Sequence, residues 1–355
     1  MAGGIGSRFW PVSRNSKPKQ FLDILGFGKT FLQQTFDRFS RIMPVENILI
    51  VTSSLYKELV LEQVPDIPAE NILLEPYRRN TAPCLAYATY KLLEKNSNAS
   101  VVVAPSDHLI LDDNLFLETI NTALAYADNH NVLMTLGLTP TRPETAYGYI
   151  QANKTNPVNI KGNTAYTVKT FTEKPSHDLA KVFMESGEFL WNSGIFIGNL
   201  LAIRGELEKL QPDIASLFQK GKGLYYTNEE EDFIRRVYEE CTSISIDYGI
   251  MEKTAKALVY PASFGWSDLG TWESLYNQID TDSNGNIVQG EDTLVSKVKN
   301  SIIVSSEKEK LIVVNGLNDF MVINTEDVLL ICPREGSAFK SILTDLPLNE
   351  FVKFQ

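Results

Sequence analysis

The chain opens Met1-Ala2-Gly3-Gly4-Ile5-Gly6-Ser7-Arg8-Phe9-Trp10-Pro11-Val12-Ser13-Arg14-Asn15-Ser16-Lys17-Pro18-Lys19-Gln20. Glycine reaches left-handed backbone conformations and lets a ligand approach closely, and three glycines stand at the start of this run. Successive N–H groups in such a turn make a concave anion site. Arg8, Arg14, Lys17 and Lys19 follow with no acid among them, although the 355-residue chain carries a formal net charge of -11. A glycine turn followed by fixed cations suits a polyphosphate. Two other phosphate motifs do not fit. Gly28-Lys29-Thr30 resembles the end of a P-loop, but Asp23 stands where that motif begins. Gly3 to Gly6 does not make a dinucleotide fingerprint either, because Arg8 occupies the place of its third glycine.

The spacing Gly-Gly-x-Gly-Ser-Arg-x-Trp-Pro-x-Ser-Arg-x-x-x-Pro-Lys-Gln-Phe resembles the signature of the sugar-nucleotide pyrophosphorylases. Trp10 and Lys19-Gln20-Phe21 are similar to the guanylyltransferase branch that acts on mannose 1-phosphate. The resemblance implies that Ala2, Gly3, Gly4, Gly6 and Ser7 wrap a nucleoside triphosphate, with Arg8 and Lys19 on its phosphates.

Composition bounds the rest. Hydrophobic residues are 43% and charged residues 22%, the ordinary range for a folded soluble chain. A net charge of -11 argues against general nucleic-acid binding. Cys84, Cys241 and Cys332 are odd in number and far apart, so no disulfide framework or zinc ribbon is indicated, and a reducing cytoplasm is the expected location. No apolar run approaches the ~20 residues of a membrane span. A glycine turn of this kind normally leaves the end of a buried strand, so an N-terminal extension carrying a short apolar strand is expected before Met1.

Further along, Thr30 and Gln33 read as a capping box opening a helix that buries Leu32, Phe36 and Phe39. Short β-branched runs at Ile48–Thr52, Ile72–Glu75, Val101–Ala104 and Val132–Gly137 read as strands with helices between them. That alternation predicts an α/β fold, Rossmann-like, with a mixed, mostly parallel sheet flanked by helices. In Glu75-Pro76-Tyr77-Arg78-Arg79-Asn80-Thr81-Ala82-Pro83, Thr81 is a candidate helix N-cap and Pro83 an early helical residue. The same run resembles a guanylyltransferase motif beside the nucleoside, which implies roles for Asn80, Thr81 and Pro83, with Arg79 on phosphate or in solvent. Asp107, after Pro105-Ser106, sits beyond a strand end, where open α/β sheets bind ligands; as a lone acid it equally suits a turn cap. The acid run Glu229–Asp232 reads as a solvated helix start.

The resemblance extends through six motifs in family order and covers residues 1 to about 280. It implies that Asp107 and Asp268 hold Mg²⁺ and that Ser106 lies at the nucleotide. It also implies that Tyr147, Gly148, Glu173, Lys174, Asn192 and Asp268 hold the sugar phosphate. Ile246 to Glu252 resembles a stretch at the edge of the sugar pocket. The implied partners are GTP and mannose 1-phosphate, with GDP-mannose and pyrophosphate as products. Another nucleotide and hexose 1-phosphate pair, or a non-catalytic sensor of nucleotide sugars, are the competing readings. A dinucleotide-dependent oxidoreductase is disfavoured by the missing glycine.

From about Ser283 the texture changes. Ser301–Val304, Leu311–Val314, Phe320–Ile323 and Val328–Ile331 recur every seven to ten residues as short strands. A catalytic domain at 1–280 and a small β domain at 281–355 are therefore expected, the latter left-handed β-helix-like by resemblance and serving packing or a homodimer contact. No histidine follows residue 280, so a single activity is expected.

Overall fold

The computed structural model describes residues 1–4, 6–346 and 351–354. Along the chain it forms α1 (Phe31–Ser40), β1 (Ile50–Ser53), α2 (Lys57–Gln63), β2 (Ile72–Glu75), α3 (Thr81–Lys95), β3 (Ser100–Val103), β4 (Leu109–Ile110) and α4 (Asp113–Ala127). Then come β5 (Leu133–Leu138), β6 (Gly148–Ile160), β7 (Asn163–Glu173), α5 (His177–Ser186), β8 (Phe189–Asn199), α6 (Leu200–Leu210), α7 (Pro212–Gln219) and α8 (Glu230–Glu240). The run ends with β9 (Ala257–Ala262), β10 (Trp266–Ser267), α9 (Trp272–Tyr276), β11 (Ile287–Gln289), β12 (Thr293–Ser296), β13 (Ile302–Ser305), β14 (Ile312–Asn315), β15 (Phe320–Asn324), β16 (Leu329–Pro333) and α10 (Gly336–Asp345). The strands and helices expected up to Gly137 are present, with ends displaced by a few residues.

Two compact units divide the chain. The first comprises Met1–Gly3, Phe36–Ser106 and Ile110–Trp266. It is built on a six-stranded sheet of order β3-β8-β5-β9-β7-β6, with β1 and β2 as a separate parallel pair. The expected mixed sheet is there, but its balance differs from mostly parallel. Within the six strands only β5 and β9 run parallel among the described residues; β8 lies antiparallel between β3 and β5, and β7 antiparallel to β6 and β9. The reason is connectivity: β6 and β7 form a hairpin through Lys161-Gly162, both at positive φ, so that pair must be antiparallel. Met1 and Ala2 are tied on two sides. The Ala2 N–H donates to Val51 O at 2.7 Å, the Thr52 hydroxyl to Ala2 O at 2.8 Å, and the Met1 amine to Ala104 O at 2.8 Å.

Helices cover the sheet through apolar faces. Phe116, Ile120 and Ala123 of α4 pack with Met134, Leu136 and Ile197. Ala82 to Tyr90 of α3 pack with Leu207, Phe218 and Tyr238. The acid run at the start of α8 is not wholly solvated. Glu230 is buried and accepts from Lys91 Nζ at 2.6 and 2.7 Å and from the Tyr87 hydroxyl at 2.6 Å. A buried carboxylate needs such partners, and the lysine and hydroxyl supply them.

The second unit comprises Gly4–Thr35, Asp107–Leu109 and Ser267–Gln355. The anticipated boundary at 280 falls inside it, so the glycine turn and the late strands share a unit. Here the capping box is realised: Thr30 N–H donates to Gln33 Oε1 at 2.9 Å and Gln33 N–H to Thr30 Oγ1 at 3.3 Å. The late strands pair with the next strand but one. β11, β13 and β15 stack in parallel, as do β12 and β14, and β16 closes the stack antiparallel to β15. This is the pairing of a β-helix-like coil. The unit's core joins Phe9, Trp10 and Phe31 to Leu269, Trp272, Ile302, Met321 and Ile323.

Candidate functional site

In the second unit the glycine turn folds tightly. Gly6 adopts φ 59° and leads into a single turn of 3-10 helix, Ser7–Phe9. A Cβ there would lie 2.5 Å from Lys19 Cβ, so both conformation and space demand glycine. Lys19 is buried at 3% exposure, yet its amine is not idle. Nζ lies 3.4 Å from Asp107 Oδ2 and donates to Asp268 O at 2.5 Å, while Phe9 and Phe31 rings flank it at 5.7 and 5.1 Å. One ammonium thus holds the Asp107 carboxylate and the backbone oxygen of Asp268, two positions far apart in sequence. Arg8 and Asp268 both line Gly270: a Cβ there would lie 2.9 Å from Asp268 Oδ2 and 3.0 Å from Arg8 Nη1. Gly270 N–H donates to Asp268 Oδ1 at 2.9 Å, and the intervening Leu269 is held at φ 43°. Strain of that kind gathers at functional sites.

Burial would push the Asp107 carboxyl up, but Lys19 and His108 outweigh it and hold it below its ordinary value. Burial also lowers the His108 imidazole, with Lys19 adding to that and Asp107 opposing it. Among the described residues no group of three His, Cys, Asp or Glu side chains is arranged to hold a metal.

Arg14, another opening cation, is held within the fold. Arg14 donates from Nε to Pro11 O at 2.6 Å, from Nη1 to Phe354 O, and from Nη2 to Asp327 Oδ1 at 2.6 Å.

In the first unit, a second group surrounds Gly148 at the start of β6. A Cβ on Gly148 would overlap Glu173 Oε1 and lie 3.3 Å from Asn192 Cβ. Asn192 is oriented from both ends. Its Nδ2 donates to Asp247 Oδ1 at 2.7 Å, and its Oδ1 accepts from the Thr135 hydroxyl at 3.3 Å and Gly194 N–H at 3.1 Å. Asp247 begins a short π-helical turn, Asp247–Met251, a feature common at functional sites. Burial, with Asp247 adding to it, pushes the Glu173 carboxyl up to about 7. Lys174 is exposed, follows β7 at φ 47°, and donates its N–H to Tyr147 O at 3.2 Å. Tyr147 is buried edge-on against Trp191 and Trp266, at 5.1 and 5.0 Å, so its ring belongs to the packing.

A third group lies at the start of α3, also in the first unit. Asn80, not Thr81, is the N-cap: its side chain accepts from Thr81 N–H at 2.9 Å with φ 65°. The Thr81 hydroxyl is taken by Ile246 N–H at 2.9 Å, which is why it does not cap, and Pro83 is the third helical residue. Arg79 is not simply solvated; it donates to Tyr238 O and Glu239 O at the end of α8, where helix carbonyls lack partners. Ser106 donates its hydroxyl to Met1 O at 3.0 Å.

Two acids were passed over by sequence reasoning. Asp247 went unassigned within its motif. Glu75 opens the Glu-Pro motif, accepts from the Tyr238 hydroxyl at 2.9 Å, and has Oε2 3.2 Å from where a Gly3 Cβ would sit. Burial raises its carboxyl to about 7 against that hydrogen bond. The signal in sequence was an acid ending an apolar strand.

The family model described as nucleotidyl transferase matches residues 1–285. The mannose-1-phosphate guanylyltransferase RfbM of Salmonella typhimurium is 38% identical over 342 residues, 94% of this chain and 69% of that one. A mannose-1-phosphate guanylyltransferase of Escherichia coli is 36% identical, over 95% of this chain and 70% of that one. A crystal structure described as mannose-1-phosphate geranyltransferase from Thermus thermophilus superimposes with a TM-score of 0.85 at 28% identity, covering 98% of this chain and 97% of that one. No helix among the described residues is long and apolar enough to cross a membrane.

Proposed function

The chain belongs to the nucleotidyl transferase family, among the mannose-1-phosphate guanylyltransferases, and from that premise we propose that it transfers GMP from GTP to α-D-mannose 1-phosphate, releasing pyrophosphate. A phosphate oxygen of mannose 1-phosphate bonds to the α-phosphorus, and the bond from that phosphorus to the bridging oxygen breaks. The nucleophile is already anionic at neutral pH, so no protein base is needed. What the protein must do is neutralise and orient.

One observation carries the reading: buried Lys19 holds the Asp107 carboxylate and the Asp268 backbone oxygen, and Arg8 and the Asp268 carboxylate both line Gly270. Arg8 and Lys19 share one unit with the glycine turn, where they stabilise charge growing on the leaving pyrophosphate. Asp107, held ionised, and Asp268 are hard oxygen donors of the kind Mg²⁺ takes in ones and twos alongside substrate phosphates, so the residues fit a divalent cation, which when bound supplies Lewis-acid polarisation of the phosphate oxygens. Glu173 and Asn192 hold the sugar hydroxyls, and exposed Lys174 takes the sugar phosphate. Glu75 offers acceptors that match the N1–H and amino donors of guanine.

Incubation with GTP, Mg²⁺ and a panel of hexose 1-phosphates tests the reading. Pyrophosphate release that requires mannose 1-phosphate supports it. Faster turnover of UTP or dTTP with glucose 1-phosphate would replace it with the neighbouring pyrophosphorylase reading, and no release with any pair would leave the sensor reading in its place.

A further inference from the structure

The glycine turn is braced by the late strands, and the brace runs through Arg14. From Gly6 to Ser13 the backbone is one hydrogen-bonded piece: Phe9 N–H donates to Gly6 O, Trp10 N–H to Ser7 O, and both Val12 and Ser13 N–H to Phe9 O, all at 3.0 to 3.1 Å. Arg8 is mounted on this piece. Its far end is fixed from two directions. Trp272 Nε1, four residues after Asp268, donates to Trp10 O at 3.1 Å. Trp10 Nε1 in turn donates to Phe354 O at 2.6 Å, and Arg14 Nη1 donates to the same oxygen. A carbonyl has two lone pairs, and these two donors match both. Arg14 Nη2 reaches Asp327 Oδ1 at 2.6 Å and Thr325 Oγ1 at 3.5 Å on the turn between β15 and β16, while Nε holds Pro11 O. All three guanidinium nitrogens are therefore committed, in three directions.

We propose that Arg14, together with Asp327 and the Phe354 carbonyl, is a positioning device that sets the glycine turn, and Arg8 on it, for the nucleotide phosphates. The proposal rests on the guanylyltransferase reading for its kinetic consequence, but not for its structural one. The late strands then contribute to the reaction itself, beyond packing. A planar fork is the right shape for such a brace, because a lysine would keep the charge and lose two of the three directions. Small displacements matter because a shift of about 1 Å in a phosphate-binding group costs up to about 100-fold in rate.

The test uses the full chain. Asp327 has a side chain 48% exposed, so D327A opens no buried void. Two readouts are taken for D327A, D327E and R14K: hydrogen exchange of the amides at Phe9 to Ser13, and KM for each substrate. The expected result for D327A is faster exchange at those amides, a KM for GTP raised about three- to tenfold, and an unchanged KM for mannose 1-phosphate. D327E restores both, and R14K matches or exceeds D327A. Parent-like exchange in D327A and R14K overturns the proposal, whatever their activity. Faster exchange in the variants of a parent chain that proves inactive toward every nucleotide and sugar phosphate keeps the brace and sinks the guanylyltransferase reading instead.

Discussion

Substituting Lys19 by Met is the most incisive perturbation, because it removes a cation and keeps most of the buried stem. In the parent, Nζ lies 3.4 Å from Asp107 Oδ2. At an effective dielectric of ~20 that separation corresponds to about 5 kcal/mol of gross attraction. Desolvating the ammonium takes back part of it, and Asp107, with a side chain 36% exposed, is partly screened. A net of about 1.5–3 kcal/mol, the usual worth of a hydrogen bond to a charged group, remains. Without Lys19, His108 is left to oppose burial, and the Asp107 carboxyl rises from its depressed position. The assay is pyrophosphate release from GTP and mannose 1-phosphate between about pH 5 and pH 9. In K19M the plateau falls by about 100-fold as stabilisation of the leaving group is lost. The stability change has a definite sign. A carboxyl depressed in the folded state stabilises the fold above its unfolded pKa and loses that contribution as pH falls through the folded one, so K19M is destabilised most at neutral pH. Less than about a fivefold loss of rate across that range would refute the pairing as the source of activity.

Asp107→Ala is expected to lose at least ~100-fold in rate at saturating substrate, checked by steady-state turnover across Mg²⁺ concentrations. Gly148→Ala pushes the Glu173 carboxylate aside and is expected to raise KM for mannose 1-phosphate about tenfold or more while leaving KM for GTP in place; equal changes in both would argue against a sugar-specific role. Glu173 titrates at about 7 in the fold against 4.5 ordinarily, so its ionised, hydroxyl-accepting form appears as pH rises through about 7. Affinity for mannose 1-phosphate should strengthen over that range and the E173Q variant should lack this step; because the folded state binds this proton more tightly, parent stability should also fall between about 4.5 and 7 relative to E173Q. Glu75→Gln replaces one acceptor by a donor and should narrow the preference for GTP over ATP by about tenfold, read from competition between the two nucleotides.

What could be read from sequence was whatever residue type alone enforces. A turn built on Gly6 requires glycine, and its φ of 59° with Lys19 Cβ against it shows why. Thr30 and Gln33 cap α1 because each side chain accepts from the other's backbone amide. The spacing of Leu32, Phe36 and Phe39 foretold one buried helix face. The late β-branched runs foretold strands, though not that each would pair with the next but one. Sheet direction was harder, since an apolar run reads alike in either sense; only the Lys161-Gly162 turn marks the β6–β7 hairpin.

The cations show where such reading stops. Arg8, Arg14, Lys17, Lys19 and Arg79 all invite a phosphate, being positive in an acidic chain. Folded, they divide. Lys19 meets the Asp107 carboxylate and a backbone oxygen, whereas Arg79 goes to Tyr238 O and Glu239 O at a helix end and Arg14 spends two nitrogens on Pro11 O and Phe354 O. A carbonyl oxygen belongs to every residue type, so its capture of an arginine leaves no mark on composition or spacing. Carboxylate partners are different. They must be Asp or Glu, and they must be neutralised where burial would otherwise cost several kcal/mol. Asp107 could therefore be weighed as a ligand-facing acid from its place after a strand, and Asp268 through the resemblance, while the carbonyls that hold Arg14 and Arg79 left nothing to read.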